Sequence, residues 1–230
     1  MSDHEFSESA PDIPLKTSTD ELRRRCETVA CFQGGSTYFQ EELGIFRSYA
    51  REKDLYLACP PPILSRPPDD EGNEHQVWFD LDSCTYLKAT WPDFFGMLVI
   101  HRHDEDAKAS PIAYLERWHL HNELFGDRVE FLGALETEGQ MRLLIRQPAI
   151  TGVPATVEQI EAFFTGNGWR RFTVKGEIAF LDPERNVVIS DTHRGNIILM
   201  DDGLLAPIDL RVQALTGALL DTVVKLCQSA

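Results

Sequence analysis

The chain has 230 residues, 43% of them hydrophobic, and its 37 acidic against 22 basic side chains give a formal net charge of −15. That size suits a single domain able to bury about 70% or more of its unfolded surface. The acidic excess excludes a broad nucleic-acid surface, which needs clustered Lys and Arg. No apolar run approaches the roughly 20 residues needed to span a bilayer, and the polar, acidic start is not a signal peptide. Five scattered cysteines (Cys26, Cys31, Cys59, Cys84 and Cys227) have no paired metal spacing. They read as reduced thiols of a cytoplasmic protein. Composition leaves the oligomeric state open.

Residues 1–16 are polar and acidic and are expected to form a disordered tail. Ser18-Thr19-Asp20-Glu21 offers helix caps before an amphipathic stretch reaching about Phe32, where Gly34-Gly35 breaks it. A second helix is expected from about Thr37 to Lys53, with Leu43, Phe46 and Ala50 at helical spacing. The prolines of Cys59-Pro60-Pro61-Pro62 and Arg66-Pro67-Pro68 predict a stiff, extended connection. Strands follow over His75–Asp80 and Thr85–Thr90, around a turn at Asp82-Ser83. Pro111 and Gly126 bracket a helix from Pro111 to about Leu124. Two further strands run over about Val129–Leu135 and Met141–Arg146, and a capped helix over Thr156–Thr165.

The chemistry concentrates between Val187 and Leu210, where an apolar strand leads to Asp191 and two apolar runs flank Asp202-Gly203. Such a dipeptide predicts a two-residue hairpin turn. Opposed residues would then have numbers summing to 405, setting Asn196 directly across from Asp209, with Cβ atoms about 5 Å apart. One divalent cation could reach both side chains, and Asp191, on the loop entering the hairpin, could act as a general base. That is a constellation for phosphoryl transfer. The seven histidines carry no comparable signal. On a helix His119 and His121 diverge, and His101 and His103 have no third ligand, so solvent-exposed histidines are expected.

The run Asp-Thr-His-Arg-Gly-Asn from Asp191 to Asn196 resembles the catalytic loop of kinase-fold enzymes. His193 and Gly195 bring it closer to aminoglycoside phosphotransferases than to protein kinases. Asp209 resembles the magnesium-binding Asp of the kinase Asp-Phe-Gly motif, with Leu210-Arg211 in place of Phe-Gly. The wider pattern, from Gly72 to Leu210, is most similar to the compact kinase-like domains of phage and mobile-element polyvalent proteins. In those domains the core ends soon after the metal-binding Asp; here 21 residues follow Asp209, enough for one amphipathic helix.

This resemblance implies an α+β, reduced protein-kinase-like two-lobe fold: an N-terminal helical segment over 17–68, an antiparallel N-lobe over 69–147, and a small C-lobe with a catalytic β-hairpin over 148–230. It implies ATP- and Mg²⁺-dependent transfer to a hydroxyl acceptor, on a protein Ser, Thr or Tyr or on a small molecule. Asp191 would be the base, and Asn196 and Asp209 the metal ligands. Lys88 would contact the phosphates with Glu116 as its partner, after an insertion around His101–Ser110. Gln147-Pro148-Ala149 would be the hinge, whose backbone at Gln147 and Ala149 meets the adenine. Arg194 would either offset charge on the moving phosphoryl group or be solvated. The phosphate-covering loop, Asp70-Glu71-Gly72-Asn73-Glu74-His75, has one glycine where protein kinases have three. Its acids would repel phosphates in the absence of metal. This leaves a second reading, a catalytically inactive pseudokinase serving as a nucleotide-binding or protein-interaction module.

Overall fold

A computed structural model describes residues 15–29, 36–101 and 108–228. Residues 1–14 of the expected tail, Cys31, the Gly34-Gly35 break and His103 lie outside the described residues. The order is α1 (Leu15–Val29), α2 (Ser36–Glu52), β1 (Asp70–Glu71), β2 (His75–Asp80), β3 (Thr85–Thr90), α3 (Pro111–Phe125), β4 (Glu130–Thr137) and β5 (Gln140–Pro148). Then come β6 (Val153–Pro154), α4 (Val157–Gly166), β7 (Arg170–Val174), β8 (Glu177–Asp182), β9 (Val187–Ser190), β10 (Ile197–Leu199), β11 (Leu205–Pro207), β12 (Arg211–Ala214) and α5 (Gly217–Gln228). The class is α+β, with antiparallel sheets ordered β1-β2-β3-β5-β4, β11-β10-β6 and β12-β9-β8-β7. Among the described residues no helix is long and apolar enough to cross a membrane.

The five-stranded sheet buries both faces. Trp78, Leu87, Ala89 and Leu144 form a cluster on one of them. The proline-rich connection closes that face: Pro62–Ser65 forms a 3₁₀ turn whose Ile63 and Leu64 pack on the cluster. Trp78 Nε1 donates to the Arg66 carbonyl at 3.0 Å. The expected extended spacer is thus a folded cover, because the alternating strands leave an apolar face that must be shielded.

Leu143 and Ile145 belong to a larger cluster with Ile112, Leu115 and Trp118 of α3. Pro111 opens α3 behind the Ser110 cap, and Gly126, at φ 69°, ends it in the left-handed conformation. The same cluster takes in Leu15 and Leu22 of α1 with Phe46 and Tyr49 of α2. Leu15 and Lys16, expected in the tail, already belong to α1. Ser18 and Thr19, expected as caps, are buried inside the helix, with the Thr19 hydroxyl bonded back to the Leu15 carbonyl at 3.1 Å.

The four-stranded sheet was only partly foreseen, since β7, β8 and β12 were not anticipated. Its β9 strand is buried along its whole length. Val187 and Ile189 meet Ile160 and Phe164 of α4, whereas Val188 joins Val223 of α5. This is why the run shows no polar alternation. Beside it, Gly152 brings β6 so close to β10 that a Cβ there would run into the Leu199 carbonyl.

Leu22 is fully buried between α1 and α3. The variant Leu22→Ala is expected to lose about 2–5 kcal/mol of stability, read from the urea midpoint at unchanged slope.

Candidate active site

The β10–β11 hairpin pairs Ile197 with Pro207, Ile198 with Ala206 and Leu199 with Leu205. Paired numbers therefore sum to 404, one less than expected. The loop has three residues, Asp201-Asp202-Gly203, with Met200 N–H bonded to the Leu204 carbonyl and Gly203 N–H to the Met200 carbonyl, both at 2.9 Å. Gly203, at φ 85°, supplies the left-handed residue that such a loop requires. Asn196 consequently lies opposite Ile208, whose N–H donates to the Asn196 carbonyl at 2.9 Å. The expected cross-strand pair of Asn196 and Asp209 is absent.

The two side chains nonetheless converge by another route. Asn196 ends the 3₁₀ turn Arg194–Asn196, and its Nδ2 donates to the carbonyls of Asp191 and Asp209, each at 3.0 Å. With the amide nitrogen committed twice, the oxygen of Asn196 is the atom left to accept or ligate. Asp191 itself adopts φ 63°, a left-handed conformation that Asp tolerates better than most residues. This turns the chain between β9 and the hairpin.

Asp209 is the best-fastened carboxylate. Its Oδ1 accepts from Arg117 at 2.9 Å, and its Oδ2 lies 3.4 Å from the Lys88 ammonium. Burial works to raise its carboxyl, and the charges of Lys88 and Arg117 outweigh that, holding it well below the usual carboxylate range. Lys88 also sits over the Trp118 ring, 5.2 Å from its centroid. Burial raises the Asp191 carboxyl above its ordinary value, against the opposing charges of Arg211 and His193.

Glu116 is not beside Lys88. It pairs with Arg23 of α1, because α3 turns the next residue, Arg117, toward Asp209. Arg117 pairs with Glu74 as well as Asp209. Glu74 therefore faces cations and is held below the usual range; it is not the exposed phosphate repeller expected in the covering loop. Gln147 is buried, and its Nε2 donates to Asp127 at 2.5 Å and to the Ile208 carbonyl at 2.7 Å. Ala149 N–H donates to the Cys84 carbonyl at 3.0 Å, so its amide extends the β3–β5 ladder. Strand alternation sends the backbones of Pro148 and Ile150 the other way. Arg194 Nε donates to the Ala155 carbonyl at 3.1 Å, a tether at the start of α4. Two histidines expected at the surface are buried, His75 and His121.

Lys88, Gln147, Asn196 and Asp209 border a cleft of about 1290 Å³ between the five-stranded sheet and the hairpin. Val77, Tyr86 and Lys88 line it from the sheet, and Gln147, Pro148 and Ile150 from the segment joining the two halves. Asn196, Ile198, Ile208 and Asp209 line it from the hairpin side. Asp191, Ala149 and Glu116 do not.

A family described as "Serine/Threonine/Tyrosine Kinase found in polyvalent proteins" matches residues 40–215. The chain belongs to this kinase family. The matched span takes in every cleft residue named above and leaves α1 outside. No curated protein and no solved structure matches the chain. Membership of a kinase family points to phosphotransfer with a nucleotide substrate.

Arg117, Glu74 and Arg211 were missed as site residues. The available signal was an arginine inside the apolar stripe of α3, three residues after Tyr114 and one before Trp118, where a charge needs a partner. His75 was missed because its burial depends on Tyr114, whose hydroxyl lies 2.9 Å from Nε2.

Burial lowers His75 to about 4, aided by Lys88 and Arg117 and opposed by Asp209 and Glu74. Neutral in the fold but protonated when unfolded below about pH 6.5, it removes stability as pH falls from that value toward its folded pKa. Between pH 7 and pH 5 it should account for roughly 2 kcal/mol. Urea midpoints at the two pH values should therefore differ less in His75→Phe than in the natural protein.

Proposed function

We propose that this kinase-family chain is a phosphotransferase that holds ATP with Mg²⁺ in the cleft and transfers the γ-phosphoryl group to a hydroxyl. The observation that carries the reading is the meeting of Lys88, from the sheet, and Asn196, from the hairpin turn, at Asp209 beside the cleft. The layout follows: residues 69–147 act as the nucleotide-covering lobe, 148–230 as the smaller lobe, and 17–68 as a helical brace.

The donor chemistry fits a hard cation. Asn196 and Asp209 offer oxygen ligands. Among the described residues no group of three His, Cys, Asp or Glu could hold a metal ion, so the remaining ligands would come from phosphate and water. The chemistry Mg²⁺ supplies when bound is neutralisation of charge on phosphate oxygens. Lys88 contributes a second positive charge, turning from Asp209 to the phosphates. Asp191 accepts the proton of the acceptor hydroxyl as its oxygen bonds to phosphorus and the bond to the ADP oxygen breaks. Its carboxyl, raised by burial, suits a base better than an ordinary aspartate does. Val77 on one side and Ile198 and Ile208 on the other form an apolar slot for a planar base. The hinge contacts pass from Gln147 and Ala149 to the Pro148 carbonyl and the Ile150 N–H. An acceptor beside a donor complements the amino group and ring nitrogen of adenine, and guanine presents the opposite sense.

The acceptor favoured by the family's description is a Ser, Thr or Tyr hydroxyl, in a cytoplasmic setting. The non-catalytic reading draws its support from Glu116, whose turn to Arg23 leaves Lys88 without a carboxylate from α3.

Thermal unfolding with and without MgATP tests the proposal. Nucleotide at a hundred times its Kd should add about 2.7 kcal/mol in the natural protein and far less in Asp209→Asn, with GTP weaker than ATP. Asp191→Asn should keep the shift and lower phosphoryl transfer by roughly 10²–10⁴-fold. A shift without turnover in the natural protein would establish the binding-module reading. No shift at millimolar nucleotide would sink the kinase mechanism and leave a protein-interaction module.

A further inference from the structure

We infer that Arg117 of α3 is the positioning residue of Asp209, with Glu74 as its counter-charge, so that α3 gives Asp209 a cation rather than giving Lys88 a carboxylate. The inference rests on the phosphotransfer reading for the role of Asp209, and on geometry for everything else.

One guanidinium joins three separate points of the chain. Its Nε donates to the Leu210 carbonyl at 2.8 Å, one terminal nitrogen reaches Asp209 at 2.9 Å, and the other pairs with Glu74. Only 6% of the Arg117 side chain is exposed, so no solvent competes for these bonds. The planar fork of arginine has donors in the directions required, which the single ammonium of lysine cannot match. By gripping both the carboxylate and the following carbonyl, Arg117 sets the backbone and the side chain of Asp209 together. It occupies Oδ1 and leaves Oδ2, the oxygen shared with Lys88, to face a ligand alongside Asn196.

Glu74 is built to hold Arg117 there. It accepts from Met97 N–H at 3.2 Å, and Arg211 Nε lies 3.4 Å away on another side. Gly96 packs so tightly on it that a Cβ would come within 2.9 Å of the carboxylate. Shared between two acids, Arg117 neutralises Asp209 less completely than an undivided pair would. Arg211 continues the series to Asp191, 3.8 Å from its carboxylate. Acids and bases thus alternate without a break from Asp191 through Arg211, Glu74, Arg117 and Asp209 to Lys88. Successive residues on a helix point about 100° apart, so α3 cannot aim both Glu116 and Arg117 at the Asp209–Lys88 pair. Glu116 is spent on Arg23.

The test is a Mg²⁺ titration of the ATP-induced thermal shift on the full chain, with ATP in EDTA as the metal-free arm. Arg117→Gln and Arg117→Lys should each raise the half-saturating Mg²⁺ concentration about tenfold or more. The metal-free ATP shift should stay within about twofold of its natural midpoint. A lower melting temperature with an unchanged Mg²⁺ requirement would mean a merely structural arginine and would overturn the inference. Should Arg117→Gln fail to fold, Glu74→Gln decides. It keeps Arg117 on Asp209 but removes the counter-charge, and it must shift the Mg²⁺ requirement for the inference to stand. If the natural protein shows no ATP shift with Mg²⁺, the phosphotransfer reading itself fails and takes this inference with it.

Discussion

Three consecutive carbonyls, of Ile208, Asp209 and Leu210, are each caught by a different side chain, two of them buried and the third half-buried. Gln147 comes from β5, Asn196 from the turn after β9, and Arg117 from α3. A segment following a short hairpin strand would otherwise carry these acceptors unpaired, at about 1–3 kcal/mol for each buried group. Here the polar groups of that segment become the junction at which the five-stranded sheet, α3 and the hairpin meet. The conformation of Asp209 follows from the junction, and with it the geometry of the whole cleft.

The same junction explains how so many charges can be buried together. Isolated, a carboxylate in this environment would be driven toward its neutral form. Alternating with Arg211, Arg117 and Lys88, the carboxylates of Glu74 and Asp209 are instead held ionised. Asp191, at the end of the series and faced by Arg211 from a greater distance, is the one left with a raised carboxyl. Position in the series therefore separates the metal-ligand candidate from the base candidate, although both are aspartates. The cations are held by α3, β3 and β12, and α3 is held by α1 through Leu22 and the Arg23–Glu116 pair. The first helix is thus mechanically continuous with the site, although its sequence carries no chemistry.

Much of this was legible in the chain. The strands over His75–Asp80 and Thr85–Thr90 agree with their expected bounds, and α3 and α4 lie within a residue of theirs, because caps, Pro111, Gly126 and period-two patterning are local signals. The Asp191–Asn196–Asp209 grouping was also legible, from spacing and resemblance. The failures have physical reasons. The hairpin register slipped by one because Asp202-Gly203 suits both a two-residue turn and the end of a three-residue loop, and only the closed hydrogen bonds distinguish them. The use of the Ala149 amide by the Cys84 carbonyl was not legible either, since which backbones a ladder takes up depends on the parity of β5 against β3. The proline-rich segment reads as a spacer until the apolar face it covers is known.

By itself the sequence determined the class of fold, many of the local elements, and the grouping of Asp191, Asn196 and Asp209 around one turn. Each depends on interactions within a few residues, or on motif spacing that survives without knowledge of packing. Only the tertiary structure decided which partners those residues have. Glu116 faces Arg23, Arg117 stands where a carboxylate was expected, and Glu74 is an anchor rather than a repeller. Those pairings join residues about 40 to 140 positions apart. They were selected by burial, which leaves each ionised group only the partner that the packed core brings within reach.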